Sequence, residues 1–161
     1  MSTIKYSKAK LYNMNLDSLY EGSDYAYELL DKNLISIVNT EAPLTLNTLK
    51  ARLREAFNIG KISGKALDII ESRINALGFN KTDNFYDYVL WPSGGVFDVT
   101  YLREGIVREI YDIPYQELFN LVSEIDLYGE ELYRKILEYF GGQVLTHKAE
   151  EYLKFIEKKC K

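Results

Sequence analysis

The chain has 161 residues, 47% of them hydrophobic, a formal net charge of -4 and a mean hydropathy of -0.24. That is the size and composition of one globular domain with enough apolar material for a core, and it excludes a disordered chain. The negative balance argues against strong non-specific attraction to nucleic acid, and apolar stretches such as residues 35–38 are far too short for a membrane-spanning helix.

Charge is distributed unevenly along the chain. Lys and Arg against Asp and Glu number four to five over residues 1–40, seven to six over 41–92 and nine to thirteen over 93–161. No segment is strongly basic. The single cysteine, Cys160, leaves no internal disulfide and suits a reduced, cytoplasmic setting. The N-terminal run MSTIKYSKAK has charge but no apolar stretch behind it, so no secretion signal is expected.

Residues 1–23 show no clean period and read as an extended arm. The first helix is predicted over 24–40, capped by Ser23 or Asp24, with Tyr27, Leu30, Leu34, Ile37 and Val38 on one face. Pro43 breaks the chain after it. A second helix is predicted over 46–58 behind Thr45, with Leu46, Leu49, Leu53 and Phe57 as a narrow apolar stripe. A third runs over 63–77 from Ser63, burying Ala66, Ile69, Ile70, Ile74 and Leu77, with Gly78 as its stop.

After Gly78 the period changes. Residues 79–92 read as two short strands around a turn at 82–84, and Pro92 ends them. Helices followed by a hairpin are the ingredients of a winged helix, in which the third helix usually faces DNA. A further strand is expected within 96–101. Helices follow over 115–127, 130–140 and 146–159, with Gly141-Gly142 closing the second of these. The expected fold is therefore mostly α with a small β-hairpin (α+β). It divides into an arm over 1–23, a winged-helix-like part over 24–95 and a C-terminal helical part over 96–161. Leu49, Leu53, Ile70, Ile74 and Trp91 should meet in one core.

Several features recur in order along the chain. Glu41-Ala42-Pro43 leads into a helix with Arg52 near its middle. Gly60, Lys61, Gly64 and Lys65 follow, then a long helix and a closing Leu90-Trp91-Pro92. Later come Arg103, Ile113-Pro114, Glu117 and Phe140-Gly141. In this order the chain resembles, over residues 25–158, a bacterial domain of unknown function usually found at the C-terminus of large helicase-related proteins. The resemblance implies a helicase or nuclease partner protein and no catalytic residues. The chain has no Gly-rich Lys-Ser/Thr phosphate loop, so it is expected to be a stand-alone member or an excised piece.

The residues themselves offer no reaction. One histidine, His147, and one cysteine, thirteen positions apart, do not make a zinc site or a convincing nucleophilic pair. His147 reads as a surface residue, and Cys160 as exposed and inert near a fraying end. Glu130-Glu131 and Glu150-Glu151 are sequence neighbours on helices, so their side chains diverge by about 100° and do not form an acid/base pair. No catalytic residue, metal or cofactor is expected. The 14 tyrosines mostly fall within amphipathic patterns, where the ring packs and the hydroxyl stays wet. Tyr86 and Tyr88 alternate on the hairpin and could show one exposed face.

DNA contact has to be weighed on the third helix. Asp68, Glu71, Ser72 and Asn75 lie opposite its apolar arc, with Lys65 at the edge and Arg73 inside the arc, expected to snorkel or pair. Two acids there oppose entry into a groove lined with phosphate charge. Lys50, Arg54, Lys61, Lys65 and Lys81 remain as a modest phosphate-binding stripe. The expectation is an accessory module of a DNA-processing system that touches DNA weakly through phosphates. The alternative is a module that docks on protein alone.

Overall fold

The computed structural model describes residues 1–161. In chain order the first elements are β1 (Ser2–Lys5), α1 (Leu16–Tyr20), α2 (Asp24–Glu41), β2 (Leu44–Thr45), α3 (Leu46–Phe57) and α4 (Gly64–Ala76). Next come β3 (Asn80–Asp83), β4 (Tyr88–Trp91), β5 (Tyr101–Glu104), a 3-10 turn (Ile110–Asp112), α5 (Tyr115–Val122), α6 (Gly129–Tyr139) and α7 (His147–Cys160). The α+β class is thereby shown: seven α-helices and two small sheets.

Local chemistry places the helix starts. Ser23, Thr45, Ser63 and Thr146 have extended backbones, and each side-chain oxygen accepts an N–H three residues on, from Ala26, Thr48, Ala66 and Ala149. Each cap satisfies one of the donors that a helix start leaves open. α3 stops at Asn58, which takes the left-handed conformation at φ 55°; asparagine tolerates this better than most residues. α6 stops at Gly141 and Gly142, at φ 90° and 74°, and the Gly142 N–H donates to the Leu137 carbonyl at 2.9 Å. Glycine meets no Cβ penalty there.

The chain divides into two compact units. The helix–hairpin unit takes residues 7–82 and 89–96, and the C-terminal unit takes residues 1–6, 83–88 and 97–161. In the helix–hairpin unit, β2 pairs antiparallel with β4, Leu44 opposite Leu90 and Thr45 opposite Val89, and the strand order is β2-β4-β3. α2 packs on α3 and α4. Leu49, Leu53, Ile70, Ile74 and Trp91 are all fully buried, as expected. The Trp91 indole N–H donates to the Thr82 hydroxyl at 2.8 Å, so its one polar atom is satisfied. The buried arc of α4 is narrower than expected: Ala66, Ile70 and Ile74 are buried, while Ile69 and Leu77 are half-buried.

In the C-terminal unit, β1 pairs in parallel with β5, Ser2 opposite Tyr101 through Lys5 opposite Glu104. Tyr6 extends the ladder, its N–H donating to the Glu104 carbonyl at 2.7 Å. α5 packs on β5, and α5, α6 and α7 pack on one another around Leu118, Val122, Leu132, Ile136, Tyr152 and Ile156. Each such side chain contributes about 1.5–3 kcal/mol when fully buried.

Four local expectations are corrected. Residues 1–23 are not an arm throughout: they hold β1 and α1, and Asn15 caps α1 by accepting the Ser18 N–H. The hairpin turn lies at 84–87 rather than 82–84, closed by the Asn84 N–H on the Asp87 carbonyl at 3.0 Å. The strand expected within 96–101 is instead Tyr101–Glu104. Its partner is almost a hundred residues away in sequence, and no local pattern encodes that pairing. The helix expected to reach 127 ends at Val122, although Ile125 and Leu127 still pack on the core.

Candidate nucleic-acid interface

All five cations singled out from the sequence belong to the helix–hairpin unit. Lys50 and Arg54 sit one turn apart on α3, both half-buried. Lys61 is exposed in the link to α4, and Lys65 is exposed in the first turn of α4. The Lys65 ammonium lies over the Tyr20 ring, 4.3 Å from its centroid, a cation–π contact that holds the side chain at the surface. Lys81 is exposed on β3 and donates to the Asn75 side-chain oxygen at 2.8 Å.

That last contact fixes the spread of the group. Asn75 is in the last turn of α4 and Lys65 in the first, so the two points are about 15 Å apart along the axis at 1.5 Å per residue. Lys65 is at the N-terminal end of α4 with Lys61 in the link just before it, and Lys81 is held at the other end. The five cations do not converge on one point. Asp68, Ser72 and Asn75 are exposed on α4 and Glu71 is half-exposed, so the acids foreseen on its outer face are there.

The unit's other two cations on these helices are committed to structure. Arg73 forms a two-pronged bond to Asp31, at 2.9 and 2.7 Å, the pairing anticipated from its place in the apolar arc. Arg52 donates through Nε to both Glu41 oxygens, at 2.9 and 3.1 Å. Glu41 is fully buried and also accepts the Ala9 N–H at 3.1 Å. This ion pair therefore ties the segment before α1 to α2 and α3.

The C-terminal unit repeats the device. Glu117 is fully buried, with Arg103 and Arg108 nearly so. Arg103 reaches it through its backbone N–H at 2.8 Å and its guanidinium at 3.0 Å, and Arg108 through both terminal nitrogens at 2.9 and 2.8 Å. Arg108 also donates to the Arg103 carbonyl at 2.6 Å. The Tyr6 ring faces both guanidiniums, at 4.7 and 5.1 Å. Burial by itself would raise the Glu117 pKa, but hydrogen bonds and charge from the two arginines outweigh it and hold the group below the usual carboxylate range. Thus four charged residues of the ordered motifs, Glu41, Arg52, Arg103 and Glu117, form interior ion pairs, whereas the other two, Lys61 and Lys65, are exposed. Arg108 and Tyr6 complete the second cluster and were not foreseen from the sequence. An arginine five residues after Arg103, directly behind Ile106 and Val107, was the available signal.

His147 is exposed, its Nε2 2.9 Å from a Glu151 oxygen one turn on. Glu130 pairs with exposed Arg134, and Glu131 is exposed, which makes this acidic pair a solvated face. Cys160 differs from expectation: it is half-buried and packs on the core of the C-terminal unit, and burial pushes its thiol pKa up. Tyr86 is exposed and Tyr88 half-buried. No group of three or more His, Cys, Asp or Glu side chains is arranged to hold a metal ion, and no helix is long and apolar enough to cross a membrane. No family model, no curated protein and no solved structure matches this chain.

Proposed function

We propose that the chain is a non-catalytic accessory module with a winged-helix core, and that it holds duplex DNA weakly through phosphates. The observation that carries this reading is the topology of the helix–hairpin unit. Helix, short strand, two helices and a hairpin follow one another, and the first strand pairs with the last. In a winged helix, α4 and the hairpin would be the elements nearest DNA. Lys61, Lys65 and Lys81 lie on or beside them, and Lys50 and Arg54 are one helix away. The exposed acid Asp68 opposes insertion of α4 into the major groove, which leaves the phosphate backbone as the surface touched. Phosphate contacts carry no sequence information. The likeness of the sequence to the helicase-associated domain supplies the context, a helicase or nuclease partner in the cytoplasm.

A second reading, docking on protein alone, is favoured by the hairpin's tip. The Tyr86 hydroxyl donates to the Lys148 carbonyl of α7 at 2.9 Å, so the turn is already engaged within the C-terminal unit. The two readings separate in a fluorescence anisotropy titration of labelled duplexes of unrelated sequence at several salt concentrations. Sequence-indifferent binding that weakens steeply with salt supports the phosphate reading. Tight, selective, salt-insensitive binding overturns it, and no binding at low salt leaves the docking reading.

A further inference from the structure

Phe85 is an aromatic side chain at the tip of a hairpin turn, and it is 41% exposed. Its ring stacks on Tyr86, centroids 4.7 Å apart and planes 22° from parallel, and meets Phe155 edge-on at 5.1 Å. It lines a cavity of about 460 Å³ in the C-terminal unit, shared with His147, Glu150, Lys154, Phe155 and Lys158. The position is held firmly. Tyr86 is bonded to the Lys148 carbonyl and, at 3.1 Å, to Glu151, and the Lys148 ammonium lies 3.8 Å from the Tyr111 ring centroid and 5.0 Å from that of Tyr86. The exposed ring is therefore a braced platform and not a loose side chain.

The wall beside it is a charge gradient. Glu150, Lys154 and Lys158 are spaced four residues apart on α7, so they form one stripe, about 12 Å long at 1.5 Å per residue. The negative end is nearest the helix start and the two cations follow. A ligand matching this groove has a flat ring to stack, donors at one end and negative charge at the other. We infer that this groove takes an unpaired nucleotide of a single strand. Its base stacks on Phe85, its amino edge donates to Glu150, and its flanking phosphates lie along Lys154 and Lys158. Base stacking on aromatic rings beside a cationic track is how single strands are held without pairing, and a carboxylate accepts from the cytosine amino group. Glu150 and Glu151 disfavour a simple anion in the same place. This site goes beyond the duplex reading and uses none of its residues.

The test measures two ligands on the full chain, a short labelled oligodeoxycytidine and a labelled duplex. Phe85→Leu keeps bulk and loses stacking. It should weaken single-strand binding by roughly ten- to a hundred-fold and leave the duplex titration unchanged. Lys154→Gln with Lys158→Gln, both at exposed positions, should flatten the single-strand salt slope by about 1.4, two contacts at about 0.7 each. Glu150→Gln should erase a preference for oligodeoxycytidine over oligothymidine. Lys50→Glu with Arg54→Glu should affect the duplex alone, so failure of one site is distinguishable from failure of the other. Absence of single-strand binding at low salt, or equal single-strand affinity and slope in wild type and both groove variants, overturns the proposal. Binding instead of an acidic aromatic peptide, with no oligonucleotide affinity, also overturns it.

Discussion

Removing the charge of Glu117 would leave two guanidinium groups in the interior without their anion. Breaking a buried pair in this way costs about 3–5 kcal/mol, and Glu117→Gln should show that loss in urea denaturation. Its pH dependence has a definite sign. The folded carboxyl has a lowered pKa, so the unfolded chain binds its proton first as pH falls. The stabilisation is whole above the unfolded value of about 4.3 and is lost as pH drops through the folded one. The Glu117→Gln variant should lose that portion of acid sensitivity. Phenols give the opposite limb. Burial, first of all, raises the pKa of Tyr152, which donates to the Ile113 carbonyl at 2.6 Å, and of Tyr133, which donates to Glu157 at 2.7 Å. The unfolded chain ionises these groups near pH 10 while the folded one holds them neutral. Stability should therefore fall above about pH 10, and less so in Tyr133→Phe. Ile70 is the purest packing case, being fully buried: Ile70→Ala should cost about 2–5 kcal/mol.

The helices differ in how their starts are held, and the difference is measurable. α4 and α7 use their own preceding residues, Ser63 and Thr146. Ser63→Ala and Thr146→Ala should each cost about 1 kcal/mol, read as a drop in melting temperature. α6 has no capping side chain at Tyr128. Instead Glu157 of α7 accepts the Gly129 N–H at 2.8 Å and the Tyr133 hydroxyl. Glu157→Ala would leave both donors without that acceptor, at about 1–3 kcal/mol for a buried one. Hydrogen exchange should accelerate at the start of α6 in this variant and remain unchanged at the starts of α4 and α7. Equal exchange at α6 in wild type and variant would show that α7 does not hold it.

Across the molecule a net charge of -4 repels a polyanion, so any duplex affinity must come from a local line of cations. Five phosphate contacts give a log-log salt slope of about -4 to -5. Lys50→Glu with Arg54→Glu should abolish binding, because the change replaces two attractions with two repulsions. Glu71→Gln on the outer face of α4 should strengthen binding slightly. Anisotropy titrations across a range of salt concentrations check all three. A slope near zero, or an unchanged slope after the double substitution, would remove these cations from the interface.

Most helix positions were legible because their signals are local, although α1 behind its Asn15 cap was missed. Ser23, Thr45 and Ser63 each open a run with apolar residues at three- and four-residue steps, and these caps and periods act within one or two turns whatever surrounds them. The burial of Leu49, Leu53, Ile70 and Ile74 followed from the same periodicity, and that of Trp91 from its place in the β-favouring run before Pro92. Pairing over distance was not legible. β1 joins β5 across nearly a hundred residues, and four exposed residues, Ser2 to Lys5, carry no hydrophobic alternation that would announce a strand. The motif charges were visible but their role was not: a glutamate or arginine reads the same in sequence whether it faces water or an interior partner. Only the folded chain brings Arg108 and Tyr6 to Arg103 and Glu117, and sets Phe85 beside α7. Convergence of side chains from separate elements is a property of packing, and no periodicity of one element encodes it.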